Sequence, residues 1–145
     1  IPSPISAEVA EGAVVAFSGP PDAVAAVRAH HAHVGARFGG ASERVHSWHA
    51  GIHPGCAYGA HAADDPDRWS NSAFSNPRLL HFHTCGAAAP GEVCWMLADA
   101  TVTLDGAPLW RAGRLAPEAF PEIARVCAEP ALAPLIARPA RAIGL

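Results

Sequence analysis

The chain has 145 residues, half of them hydrophobic, with 10 basic side chains against 13 acidic ones and 9 histidines. A formal charge of -3, a pI near 6.3 and the lack of any arginine run exclude a basic footprint for nucleic acid or an anionic membrane. The length is enough for one hydrophobic core, and 14 prolines with 13 glycines argue for many turns rather than a helical bundle.

In chain order, residues 6 to 17 read as a strand pair turning at Glu11-Gly12, and Ser18-Gly19-Pro20-Pro21-Asp22 breaks the strand and starts a helix over 22–38. Val24, Val27, His31, Val34 and Phe38 share one face of that helix, which should therefore lie on a sheet, with Gly39-Gly40 as its end. A short strand over 44–49 leads into the loop Ala50-Gly51-Ile52-His53-Pro54-Gly55. Residues 57–75 are polar, with Asp64-Asp65-Pro66-Asp67, and read as a loop with room for one helical turn. Strands are expected over 79–84, 93–104 and 108–111, with Leu104-Asp105-Gly106 as a hairpin turn. Helices over 117–128 and 131–137 close the chain. The fold class expected is mixed α/β (α+β): a central mixed sheet with flanking helices, forming a single domain over 1–145.

The chemistry concentrates at Leu79-Leu80-His81-Phe82-His83-Thr84. Side chains alternate faces along a strand, so His81 and His83 point the same way and are placed to close on one metal ion. His46, His49 and His53 precede them in a strand and turn, and Pro90-Gly91-Glu92 follows with a carboxylate. Imidazole and carboxylate are ligands suited to zinc or iron(II), and an incomplete shell leaves positions for chemistry. The expected metal ligands are His49, His81, His83 and Glu92. His53 and Arg78 are the expected catalytic residues, Arg78 as a bidentate partner for a substrate carboxylate, with Trp48 and Trp95 as candidate aromatic walls. His30, His31 and His33, near a helix end, default to surface or capping roles, and His61 to surface.

The order of segments carries a resemblance. A strand pair with the Glu11-Gly12 turn, a helix, a Gly-x-x-Pro loop (Gly51-Ile52-His53-Pro54), the strand from His81 to Gly86, and a last hairpin from Thr101 to Gly106 with Gly113-Arg114 together resemble the C-terminal domain of aminopeptidase T type metalloproteases and the related 2,5-dihydroxypyridine dioxygenase. The resemblance implies a metal-dependent enzyme whose glutamate position falls on or near His49. Its strand histidine falls on His81 or His83, and its His-x-Asp region on the stretch from Pro90 to Trp95, where Glu92 is the good ligand. A histidine-rich shell in place of carboxylates suits a single iron(II), with zinc(II) as the alternative, better than a two-metal peptidase site. A cupin barrel also uses His-x-His with a following glutamate, but its glutamate comes sooner and its barrel has no place for a helix over 22–38.

The functional expectation is a mononuclear iron(II) dioxygenase acting on a small polar aromatic molecule, with a zinc hydrolase or a non-catalytic accessory subunit as alternatives. Cys56, Cys85, Cys94 and Cys127 are widely spaced, without a Cys-x-x-Cys pair, and read as free thiols in a reducing, cytoplasmic setting. The sequence begins at Ile1 rather than methionine, so a trimmed chain or the C-terminal part of a longer enzyme is expected. Self-association or a partner polypeptide is expected to cover its apolar surface.

Overall fold

Glu11 and Gly12 take φ of 52° and 76°, the paired left-handed geometry that reverses a chain within two residues, so β1 (Ser6–Ala10) folds back on β2 (Ala13–Ser18) as an antiparallel hairpin. The computed structural model describes residues 4–39, 41–86 and 90–145. Helix α1 (Pro21–Phe38) has proline and Asp22 in its first turn, where a missing N–H costs nothing and a negative charge suits the helix dipole. It ends at Gly39 (φ 78°), whose N–H caps Gly35 O at 2.9 Å. The face turned inward carries His31, Val34 and Gly35, while Phe38 is exposed.

The strands are short and lie in three small sheets instead of the one central sheet expected: β1-β2, then β3 (Ser47–Ala50), β4 (Leu79–Thr84) and β5 (Val93–Ala98) in the order β3-β4-β5, then β6 (Val102–Leu104), β7 (Ala107–Arg111) and β8 (Arg114–Leu115) in the order β6-β7-β8. The class is mixed α+β, as expected. The single strand expected over 93–104 is broken because Asp99 adopts φ 53°, a left-handed conformation that no strand continues through.

Residues 57–75 also depart from expectation, since α2 (Pro66–Ala73) is a full helix there. Asp65 caps it by accepting from Arg68 N at 3.1 Å, Pro66 occupies its first turn, and Trp69 and Ala73 are buried. Near the C-terminus, Phe120 is held at φ -123°, ψ 89° in front of Pro121, which splits the expected helix over 117–128 into a 3₁₀ turn (Pro117–Ala119) and α3 (Pro121–Cys127). Helix α4 (Ala133–Ala137) follows. Among the described residues, no helix is long and apolar enough to cross a membrane.

By contacts the chain divides into two compact units, Ile1–His49 with His81–Trp95, and Ala50–Leu80 with Met96–Leu145. In the first, α1 packs on β2, and Val14, Val34, Phe82 and Cys85 are buried. In the second, the core is Tyr58, Trp69, Ala73, Leu79 and Ile143, tied by the Trp69 indole N–H donating to Ile143 O at 2.7 Å. Asn76, 1 % exposed, donates to Cys56 O and Ala140 O at 2.6 and 3.1 Å and accepts from Arg78 N at 2.9 Å. Gly51 is fixed by this packing, because a Cβ there would meet Asn76 O at 2.1 Å.

Candidate metal centre

Strand β4 is hydrophobic and β-branched or aromatic enough to extend, and both its faces are covered, so its two histidines are held rather than solvated. The His46 N–H donates to His83 O at 2.9 Å, which aligns the approach to β3 with β4. His49 thereby stands against the histidine face of β4. Its ring lies 4.6 Å from that of His81, nearly parallel at 7°, and 5.0 Å from that of His83, while the His81 and His83 rings are 5.2 Å apart. Each of the three offers one ring nitrogen, and these nitrogens all lie within 4.8 Å of one another. His81 is buried, His83 half-buried and His49 exposed.

Burial pushes the pKa of His81 down to about 4, and the neighbouring His49 and His83 push in the same direction. His81 is therefore neutral near pH 7, with one ring-nitrogen lone pair available to a metal. In a tetrahedral shell with bonds of about 2.0–2.1 Å, ligand nitrogens stand about 3.3–3.4 Å apart. Separations of up to 4.8 Å exceed this spacing, so closing the group on an ion calls for the rings to tilt toward one another. The donor set fits a borderline divalent ion.

Glu92 of the expected ligand set stands beside the group rather than within it. Its Oε2 sits 2.8 Å from Nδ1 of His83, but it is not part of the convergent group, which among the described residues is the three histidines alone. The contact is short yet poorly aligned with the ring N–H direction, since Nδ1 is shielded from solvent and makes no well-directed hydrogen bond. His46 is exposed and contributes its backbone rather than its ring.

The opposite face of β4 is aromatic. Phe82 packs against Trp48 at 4.6 Å and Trp95 at 5.9 Å, and Trp95 stacks on Phe17 at 5.2 Å. Trp48 and Trp95 therefore serve as packing around Phe82 and do not wall the imidazole group. Thr84, fully buried, accepts the Trp95 indole N–H at 2.7 Å and lies 2.5 Å from His31 Nε2. An indole nitrogen only donates, so the threonine hydroxyl is free to donate to His31, whose pKa burial lowers. His31 is 3 % exposed, so its expected surface or capping role is replaced by a buried polar one. Its place on the apolar face of α1 was the signal.

The two expected catalytic residues belong to the second unit. His53 lines an apolar hollow of that unit. Arg78 has its guanidinium fork filled: Nε and the second terminal nitrogen reach the two oxygens of Asp99 at 2.6 and 2.5 Å, and the other terminal nitrogen donates to Arg141 O. The hydrogen bonds raise the Arg78 pKa and hold Asp99 below the usual carboxylate value. Arg78 is thus a structural anchor, and nothing in its own segment of sequence names Asp99 as its partner. All four cysteines are free, and burial raises Cys85 and lifts Cys94 to about 11, so neither is a thiolate near neutrality. No family model, curated protein or solved structure matches the chain.

Proposed function

We propose that the three-histidine group holds one divalent transition metal, zinc(II) ahead of iron(II), in a site of the catalytic kind. The convergence of three imidazole nitrogens within 4.8 Å carries the reading. Three nitrogen donors with no carboxylate among them suit zinc, whereas the facial arrangement favoured for iron(II) uses a carboxylate as a ligand. Glu92, with Oε2 2.8 Å from His83 Nδ1, stands close enough to become the carboxylate partner that orients a ligating histidine once the ring tilts. His49 is exposed, which leaves the solvent side for a fourth position. A zinc ion there would lower the pKa of a bound water and support hydrolysis or hydration of a small molecule. The segment order that resembles the aminopeptidase T type domains agrees with a metal-dependent enzyme.

The test begins with chelator-stripped protein titrated with zinc(II), with cobalt(II) as a spectroscopic reporter of four-coordination. One equivalent should bind, and His81→Ala and His83→Ala should each abolish binding. Zinc-dependent hydrolysis of an activated ester such as 4-nitrophenyl acetate should disappear with the metal. Metal retained in both variants would sink the site. Oxygen uptake with a hydroxylated pyridine after anaerobic iron(II) loading, with no ester hydrolysis by the zinc form, would move the reading to the dioxygenase.

A further inference from the structure

We propose that the first unit binds a small α-amino acid with an aliphatic side chain, in a hollow of about 280 Å³ between β2, α1 and residues 42–43. None of the three clustered imidazoles lines this hollow, so it stands apart from the metal centre. His31 gives it a fixed polar point. The ring is 3 % exposed and is held edge-on to Phe17 and Trp95, with centroids 6.0 and 5.6 Å away. Because the Trp95 indole N–H occupies Thr84 as an acceptor, the threonine hydroxyl proton goes to His31 Nε2. A neutral imidazole that accepts at Nε2 carries its own proton on Nδ1. That nitrogen makes no hydrogen bond among the described residues, yet it is not sealed from solvent, so its N–H donates into the hollow that the ring lines.

One charge of each sign shares the lining with that N–H. The Arg28 guanidinium lies over the Phe17 ring, 5.3 Å from its centroid, and among the described residues no carboxylate pairs with it. The Glu43 carboxylate is likewise without a cation, and it stands near enough to His31 to raise its pKa against the larger, opposite effect of burial. Arg28 and Glu43 thus line one hollow without meeting in an ion pair. With His31 neutral the lining is balanced, so an anion would meet Glu43 unmatched and a cation would meet Arg28 unmatched. A zwitterion satisfies both. Its carboxylate fits Arg28 and the His31 N–H, its ammonium fits Glu43, and Val14 and Phe17 offer an apolar wall to a short side chain. The volume lies just under the range of about 300–1,000 Å³ usual for small-molecule sites, which holds the guest to amino-acid size.

The experiment titrates the full chain, as purified and again after chelator treatment, with L-valine, isovalerate and isobutylamine, the last two being valine without its amine and without its carboxylate. Calorimetry gives the affinities, and the indole N–H signals in NMR give the place, with Trp95 assigned from Trp95→Phe. Valine should bind saturably in both preparations, about three- to tenfold more tightly than either half-molecule. It should move the Trp95 signal, because that indole shares Thr84 with His31, and leave those of Trp69 and Trp110 in place. Arg28 and Glu43 are exposed, so Arg28→Gln and Glu43→Gln should fold as the native chain does. Glu43→Gln should erase the advantage of valine over isovalerate, and Arg28→Gln its advantage over isobutylamine. No saturable valine binding, a half-molecule matching valine on the native chain, full affinity in both variants, or shifts confined to Trp69 or Trp110 would each overturn the proposal. So would binding that disappears with the chelator, which would mark valine as chelating a metal ion instead.

Discussion

Glu92 and His83 pose the sharpest question at the level of single residues, because a carboxylate 2.8 Å from Nδ1 is either a partner that orients the imidazole or a ligand in waiting. As a partner, it favours the tautomer that leaves Nε2 for the ion, and Glu92→Ala should weaken zinc affinity by about 10–100-fold without abolishing it. Competition against a chelator of known affinity separates the cases, since a true ligand lost would match His83→Ala. Thr84 is the corresponding residue on the aromatic face. Thr84→Val keeps the volume but leaves the Trp95 N–H and the His31 ring nitrogen without their partner, and should cost about 2–4 kcal/mol in urea unfolding. A loss under about 0.5 kcal/mol would show that water replaces the hydroxyl. The shared face of His81 and His83 was legible from the period of two. The role of Glu92 was not, because it depends on where a turn delivers a carboxylate to within an ångström or so.

Among the elements, those with strong end signals or turn chemistry matched their sequence, as in β1-β2 and in α1 from Pro21 to Gly39. Helix α2 was equally readable in Asp65-Pro66-Asp67, a cap followed by proline, but its polar composition masked it. The break between β5 and β6 was hidden, because it follows from Asp99 turning left-handed to meet Arg78, a partner 21 residues away. Gly113 closes over this ion pair at φ 71°, and a Cβ there would stand 2.5 Å from Asp99 Oδ1 and 2.9 Å from Arg78 Cα. Gly113→Ala should therefore destabilise by at least about 2 kcal/mol, from left-handed strain together with displacement of a paired charge. Thermal unfolding of the variant measures this, and an unchanged midpoint would contradict the close packing.

For the molecule as a whole, the buried histidines set the acid limit. His81 titrates near 4 in the folded chain and near 6.5 when unfolded, and His31 is lowered as well. Between those values the unfolded chain binds more protons than the folded one, so stability rises with pH across about 4 to 6.5 and is lost as pH falls through that window. Asp99, held low by Arg78, adds a further loss below about 3.8. Urea midpoints measured in the presence of a chelator should climb from pH 4.5 to pH 7, and His81→Asn should flatten the climb. Saturating zinc should add stability by mass action, about 2.7 kcal/mol at a hundred times its dissociation constant. A flat pH profile for the native sequence would mean that the histidines are more hydrated than their burial indicates.

The six residues of β4 serve two trades at once, with imidazoles on one side and the Phe82 and Thr84 packing on the other. Side-chain alternation makes these inseparable, since losing or gaining one residue within the strand would turn Phe82 toward His49 and drive a histidine among the tryptophans. Over evolutionary time this stretch should accept replacements in place but refuse length changes, so any lineage that abandons the metal should do so by swapping His81 or His83 while keeping the spacing from Leu79 to Thr84 intact.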